Sequence, residues 1–334
     1  MPSPKYSVIV PVYNRPEELG ELLESLTKQT YPDFEVLIVE DGSTKRSESV
    51  YEQYVSRLRI QYFYKPNTGP GPSRNFGFEH AKGEYFVVFD SDCILPSDYF
   101  SIVTSYLAQH PLDAWGGPDR GHESFSSLQQ AMAYTMSSVL TTGGIRGGKN
   151  QANKFQPRSF NMGISRKVWE ATGGFKFDRL AEDIELSIRI RKAGFKIGLI
   201  AEAFVYHKRR STFKSFFRQV FRFGAARINI FKRHRRELKI THILPSAFVL
   251  FLVFGLVGSF ISTSIMKLFL AMIGSYCAIL MVHSTISNKS YKVGLLSVIA
   301  SILQLTGYGC GLMANAFAVF ILRRKEGMAL GASK

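Results

Sequence analysis

Asp90-Ser91-Asp92 follows directly on Tyr85-Phe86-Val87-Val88-Phe89, and that placement gives two carboxylates chemistry to do. Five consecutive β-branched and aromatic residues after Gly83 read as a buried strand that stops at a polar turn. Ligands of open α/β sheets bind beyond the carboxyl ends of the strands. Two carboxylates one residue apart suit a hard divalent cation, and Mg²⁺ takes its remaining ligands from substrate phosphates. Taken alone, Asp-Ser-Asp fits a solvated turn equally well. Its surroundings have to decide.

Those surroundings alternate strand and helix from residue 6 to residue 110. Ser7 to Val12 is a short strand ending at Tyr13-Asn14-Arg15-Pro16, and Glu17 to Gln29 carries Leu19, Leu22, Leu23 and Leu26 at helical spacing. Phe34 to Val39 is a second strand ending in Glu40-Asp41-Gly42-Ser43, and Ile60 to Tyr64 a third. Asn67 to Asn75 reads as a loop leading into a helix that ends at Lys82. This alternation predicts a parallel sheet with helices on both faces, and the polar ends of strands one, two and four then converge on one crevice. Further on, Lys196 to Tyr206 reads as a strand ending at His207.

The whole chain has 334 residues and a formal net charge of +16, which calls for two regions and an anionic partner. Cys93, Cys277 and Cys310 show neither metal-ligand spacing nor a disulfide framework, so a reducing compartment is expected. Tyr6 to Val12, flanked by Pro4 and Pro11, is too short for a cleavable signal. Thr141 to Asn150 holds four glycines and reads as a mobile loop, a lid or a plain surface loop, and it is not counted in the site.

Val10-Pro11-Val12-Tyr13-Asn14, Glu40-Asp41-Gly42-Ser43, Gly71-Pro72-Ser73-Arg74-Asn75-Phe76-Gly77 and Asp90-Ser91-Asp92 occur in an order that resembles the inverting glycosyltransferases of family 2. Asn161-Met162-Gly163, Gly173-Gly174-Phe175 and Ala181-Glu182-Asp183 extend the resemblance, which covers about residues 5 to 225. It implies the α/β GT-A fold, a nucleotide-sugar donor (a UDP-sugar by preference) and Mg²⁺ or Mn²⁺ as cofactor. By resemblance, Asp92 holds the metal, and Asp90 either shares it or lies nearer the ribose. His207 reaches the metal or the diphosphate, although a lone histidine is more often structural. Asp41 lies beside the base, Arg74 faces phosphate, and Pro11, Tyr13, Asn14 and Ser91 line the donor site. Asn161 and Glu182 fall near the acceptor or diphosphate. Asp183 is the resemblance's choice of base. Helix-dipole compatibility alone would account equally for Glu182, Asp183 and Glu185 in a first turn.

From Lys208 to Lys239 basic residues dominate, with Glu237 the one acid. Phe213, Phe216, Phe217, Val220, Phe221, Gly224 and Ile228 share one helical face, while Lys214, Arg218 and Arg222 recur on another. This pattern predicts a helix in a membrane interface rather than a nucleic-acid-binding surface. Gln219-Val220-Phe221-Arg222-Phe223 also resembles the Gln-x-x-Arg-Trp motif of membrane-embedded polymer synthases, with Phe in place of Trp, which puts Gln219 and Arg222 at the acceptor end or the diphosphate. Ile243 to Ile286 and Val293 to Leu322 are long enough for about three spans. The last is interrupted at Gly307-Tyr308-Gly309-Cys310-Gly311, where it can fold back.

The expected layout is a catalytic domain over 1–210, an interfacial helix over 211–240, transmembrane helices over 241–323 and a tail over 324–334. Lys232-Arg233-His234-Arg235-Arg236 places the catalytic domain on the cytoplasmic side of a bacterial-type inner membrane. The expected activity is inverting, non-processive sugar transfer to a hydroxyl of a membrane-associated acceptor, either a lipid-linked saccharide or a glycan. A polyprenyl-phosphate sugar synthase is the enzymatic rival, and its anionic acceptor needs no base. A non-catalytic membrane sensor of nucleotide-sugars is the rival of another class. Nearly charge-free spans argue against a transporter.

Overall fold

The computed structural model describes residues 3–120, 126–142, 155–207 and 212–323. The chain divides into two compact units, residues 1–122 with 150–208, and residues 123–149 with 209–334.

The first unit begins β1 (Tyr6–Val12), α1 (Pro16–Thr27), β2 (Phe34–Asp41), α2 (Glu48–Glu52), β3 (Ile60–Lys65), α3 (Pro70–His80) and β4 (Tyr85–Phe89). It continues with β5 (Cys93–Ile94), α4 (Tyr99–Gln109), β6 (Ala114–Gly116) and β7 (Asp119–Arg120). The chain then contributes α5 (Ser127–Ser137) and α6 (Val139–Thr142) to the second unit. It returns with β8 (Asn161–Ser165), α7 (Arg166–Thr172), α8 (Glu182–Lys192), β9 (Ile197–Leu199) and β10 (Val205–His207).

Seven strands form one sheet in the order β3-β2-β1-β4-β8-β6-β9. Its first four strands are parallel, as the strand-helix alternation predicts, but β8 runs antiparallel to both β4 and β6, so the sheet is mixed. The difference has a topological origin: β8 follows the excursion into the other unit instead of a βαβ crossover, which would impose parallel pairing. Period-two alternation then buries both faces. Val8, Val10, Val36 and Val87 pack on Leu19, Leu22, Leu23 and Leu26 of α1 and on α4. Ile9, Leu37, Phe86 and Val88 pack on Phe78 of α3, Val168 of α7 and Leu186 of α8.

Two local expectations change. Residues 70–75 form the first turns of α3 rather than a loop, because Gly69 turns the chain at φ 104° and Pro70 opens the helix. The single strand expected over 196–206 is two: β9 pairs with β6 in the large sheet, while β10 joins β5 and β7 in a small one.

The second unit continues with α9 (Phe213–Arg233), a 3-10 turn at Arg235–Glu237, α10 (Ile240–Ile261), α11 (Thr263–Asn288), α12 (Tyr291–Ala316) and a π-helical turn at Phe317–Ile321. Three of its helical stretches, Ile240–Ile261, Thr263–Asn288 and Tyr291–Ile321, are long and apolar enough to cross a membrane. α12 passes unbroken through Gly307–Gly311, the point at which the sequence allowed the run to fold back. The glycines serve close packing instead: a Cβ on Gly311 would lie 2.0 Å from the Phe221 carbonyl oxygen, and one on Gly224 2.0 Å from that of Tyr308. Asn315 locks the pair by donating to the Ala225 carbonyl and the Asn229 side chain at 2.7 and 2.9 Å. Much of the apolar stripe of α9 is therefore covered by protein: Phe216, Val220, Gly224 and Ile228 are buried. Lys214, Arg218 and Arg222 remain exposed.

Candidate active site

The carboxyl ends of β1, β2 and β4 lie side by side in the sheet. After β1, Asn14 adopts φ 54°, a conformation asparagine tolerates better than most residues. Its backbone N–H donates to Ser43 Oγ at 2.8 Å, and its Oδ1 accepts from Thr44 Oγ1 and the Lys45 N–H at 3.0 and 2.9 Å. Asn14 thereby ties the β1 loop to the β2 loop. Tyr13 is exposed, while Pro11 sits within β1 with partial exposure.

Asp41, at the end of β2, accepts from the Thr68 and Gly69 N–H groups at 2.9 and 2.8 Å and pairs with Lys65. Its carboxylate thus organises the loop that leads into Arg74.

Beyond β4, the Cys93 N–H donates to the Asp90 carbonyl at 3.1 Å and closes the acidic turn. Ser91 is buried within it. Asp92 pairs with Arg15, the residue that precedes α1. Asp90 accepts from Arg74 Nη2 at 2.7 Å.

Arg74 is the hinge of the site. It is 2% exposed, and its other terminal nitrogen donates to Glu182 Oε1 at 2.8 Å. One buried guanidinium thus joins the β4 carboxylate to the first residue of α8. Its face lies over Phe175, 5.4 Å from the ring centroid. Burial alone would lower its pKa, but the facing Asp90 and Glu182 charges carry it above the ordinary arginine value. Burial raises the Glu182 carboxyl above the usual range; Arg74 opposes that shift and the Asp183 charge adds to it.

Asp183 is the second residue of α8, which follows Ala181 at φ 57°. It is buried, pairs with Arg158 Nε at 3.3 Å, and accepts from the Ser159 N–H at 3.4 Å. Glu185 is also buried, but it pairs with Arg189, whose guanidinium caps the Thr172 and Gly174 carbonyls. The three acids of the first turn thus face three different partners, a distinction that dipole compatibility alone cannot make.

The structure gathers Asp90, Asp92, Arg74, Glu182 and Asp183 around the end of β4 and the start of α8. Asn161 is placed differently: fully buried on β8, it accepts from Tyr99 Oη at 2.6 Å and donates to the Ala203 carbonyl at 2.8 Å. His207 stands in register opposite Cys93, the residue after Asp92. Gln219 and Arg222 lie on α9 in the second unit. The 143–150 part of the glycine-rich loop lies outside the described residues. Arg15 and Arg158 were not singled out in the sequence. Arg15 adjoins Asn14, but Arg158 sits in a loop with no periodic signal.

Among the described residues no group of three or more His, Cys, Asp or Glu is gathered to hold a metal ion. The donor set of Asp90 and Asp92, two hard carboxylates, nevertheless fits Mg²⁺ or Mn²⁺ bound jointly by protein and substrate phosphates.

Residues 7–171 match the family model described as Glycosyl transferase family 2. An uncharacterized glycosyltransferase of Rickettsia felis is 39% identical over 106 residues, covering 32% of this chain and 18% of that protein. The poly(ribitol-phosphate) beta-N-acetylglucosaminyltransferase TarS of Staphylococcus aureus is 34% identical over 113 residues, 33% of this chain and 20% of its own. These matched stretches span a fifth or less of either relative. The mannosyltransferase PcManGT of Pyrobaculum calidifontis, solved in complex with GDP-Man and Mn²⁺, superposes with a TM-score of 0.58 at 19% identity over 92% of this chain and 88% of its own. That likeness concerns the fold: a GT-A α/β domain with a mixed sheet, followed by long apolar helices.

Proposed function

We propose that this chain, with its family 2 glycosyltransferase domain, moves a sugar from a nucleotide-sugar to a hydroxyl of a membrane-associated, lipid-linked or glycan acceptor. The reading includes inversion at the anomeric carbon, a single transfer per encounter, and a catalytic unit on the cytoplasmic side of the membrane. The observation that carries it is the Asp90–Arg74–Glu182 chain, which links the acidic turn to the residue beside Asp183. The curated relatives are glycosyltransferases, and the structural neighbour was solved with a nucleotide-sugar and Mn²⁺.

In the proposed reaction the acceptor oxygen forms a bond to the anomeric carbon while the bond from that carbon to the diphosphate oxygen breaks. Its proton passes to the Asp183 carboxylate as the new bond forms. Arg158 keeps that carboxylate oriented, and the Arg74 bridge fixes Glu182 beside it. Asp92 and Asp90 would hold Mg²⁺ or Mn²⁺, with His207 near the same turn; the ion supplies positive charge for the departing diphosphate. The three long apolar helices support a membrane-associated acceptor.

The test is release of nucleoside diphosphate by the purified full chain from UDP-, GDP- and dTDP-sugars with Mn²⁺ or Mg²⁺, with and without membrane lipid extract. Release that grows with extract and yields an organic-soluble sugar product is the expected result. Donor binding without release in any combination would instead establish a sensor.

A further inference from the structure

The segment that interrupts the catalytic unit between β7 and β8 carries an unexpected chemistry. No charged residue lies between Glu123 and Arg146. Within it, α5 and α6 belong to the second unit and lie along two of its long apolar helices. Three hydrogen bonds fix the depth. Tyr134 Oη bonds His283 Nδ1 at 2.7 Å, Thr135 Oγ1 bonds Ser301 Oγ at 3.2 Å, and Tyr276 Oη donates to the Leu140 carbonyl at 3.1 Å.

α11 ends at the short turn of Lys289 and Ser290 that leads into α12, so residues can be counted along α11 from that end. His283 lies five residues along α11 from Asn288, roughly 8 Å at the helical rise. Tyr276 lies twelve residues from it, roughly 18 Å, which exceeds the ~15 Å half-thickness of a bilayer core. With α11 read as a span whose core begins at Asn288, the segment runs from α5 to α6 toward the bilayer midplane.

Its own polar groups are closed against an apolar medium. Ser137 Oγ donates to the Ala133 carbonyl at 3.0 Å, Thr142 Oγ1 to the Ser138 carbonyl at 2.8 Å, and Thr141 Oγ1 to the Thr135 and Ser138 carbonyls. At the far end, Val139 is 70% exposed and Leu140 37%, and Met272 and Ile279, about one turn either side of Tyr276 on α11, are exposed as well. A soluble surface rarely offers such a patch, and lipid chains fit it.

We infer that residues 126–142 form a membrane-inserted element whose Val139-Leu140 end is immersed in lipid acyl chains. The inference rests on the reading of α11 as a membrane span, and the experiment separates the two. Cys277→Ser and Cys310→Ala leave only Cys93, which is fully buried. On that background Val139→Cys, Leu140→Cys, Met272→Cys and Val55→Cys are spin-labelled in full chain reconstituted into phosphatidylethanolamine–phosphatidylglycerol vesicles. Collision with dissolved oxygen and with a water-soluble nickel chelate is then measured. The expected result is loss of nickel collisions at Val139 and Leu140 to the level of Met272, with Val55 still accessible. Protection at Met272 with Val139 and Leu140 as accessible as Val55 overturns the inserted element and leaves the span intact. Nickel access at Met272 as well removes the span, and the inference with it.

Discussion

Replacing Asp183 by asparagine keeps the outline of the side chain and removes the charge that accepts the proton in the proposed reaction. Loss of a positioned base costs about 10²–10⁴-fold in turnover. Asp183→Asn should therefore bind nucleotide-sugar normally in calorimetry while its product release falls by that factor; near-normal turnover would remove it from the mechanism. Its neighbour makes a pH prediction. Burial raises the Glu182 carboxyl, so folding favours its protonated form. Its contribution to stability is complete below the unfolded-state value and is lost as pH rises through the folded one. The melting temperature of wild type relative to Glu182→Gln should accordingly be higher at pH 4 than at pH 7, and a constant difference would contradict the shift. Arg15 predicts a metal effect, because its guanidinium sits on an Asp92 oxygen that an ion would take. A partly exposed pair is worth about 0.2–1 kcal/mol, so Arg15→Ala should tighten Mn²⁺ binding without donor by up to about fivefold in calorimetry. The sequence made the acidic turn and the Asp183 helix legible because their spacing is local. Arg74 was legible as a cation but not as a bridge, since its partners lie 16 and 108 residues away.

Strands β1 to β4 follow from runs of apolar residues punctuated by turns, and local periodicity was enough to place them to within a residue or two. β8, β9 and β10 did not follow, because short strands take their partners from distant parts of the chain and no local pattern encodes direction. α9 shows the same limit. Its amphipathic stripe was plain, yet a stripe is equally consistent with a membrane interface and with another helix, and the glycines of α12 decide for contact with that helix along much of it. Gly311→Val forces a side chain against the Phe221 carbonyl, and overpacking of this kind costs about 1–3 kcal/mol. Gly274→Val tests the same substitution where nothing lies within 4 Å of the Cβ position. Melting in detergent should fall for Gly311→Val and stay near wild type for Gly274→Val. Equal melting temperatures would mean that α9 is not held on α12.

At the scale of the molecule, the +16 charge is distributed along the chain in a way that bears on orientation. α10 starts just after Lys232, Arg233, Arg235, Arg236 and Lys239, and the α11–α12 turn on the same side adds Lys289 and Lys292. Lys267 lies at the other end of α11, whereas the Arg323 end of the third helix lies beside the Lys232–Arg233 end of α9, where the Phe231 and Phe320 rings are 6.2 Å apart. On the reading of α10 and α11 as spans, retention of cationic span ends on the cytoplasmic side assigns the Lys232–Lys239 and Lys289–Lys292 ends to that side. An impermeant maleimide added to intact cells should therefore label Ser262→Cys, in the α10–α11 turn, and leave Ser290→Cys unlabelled. Neutralising Lys232, Arg233, Arg235 and Arg236 together to glutamine removes most of that bias and should raise labelling at Ser290→Cys. Labelling of Ser290→Cys in the otherwise unchanged chain would put the catalytic unit on the outer face, away from cytoplasmic nucleotide-sugars.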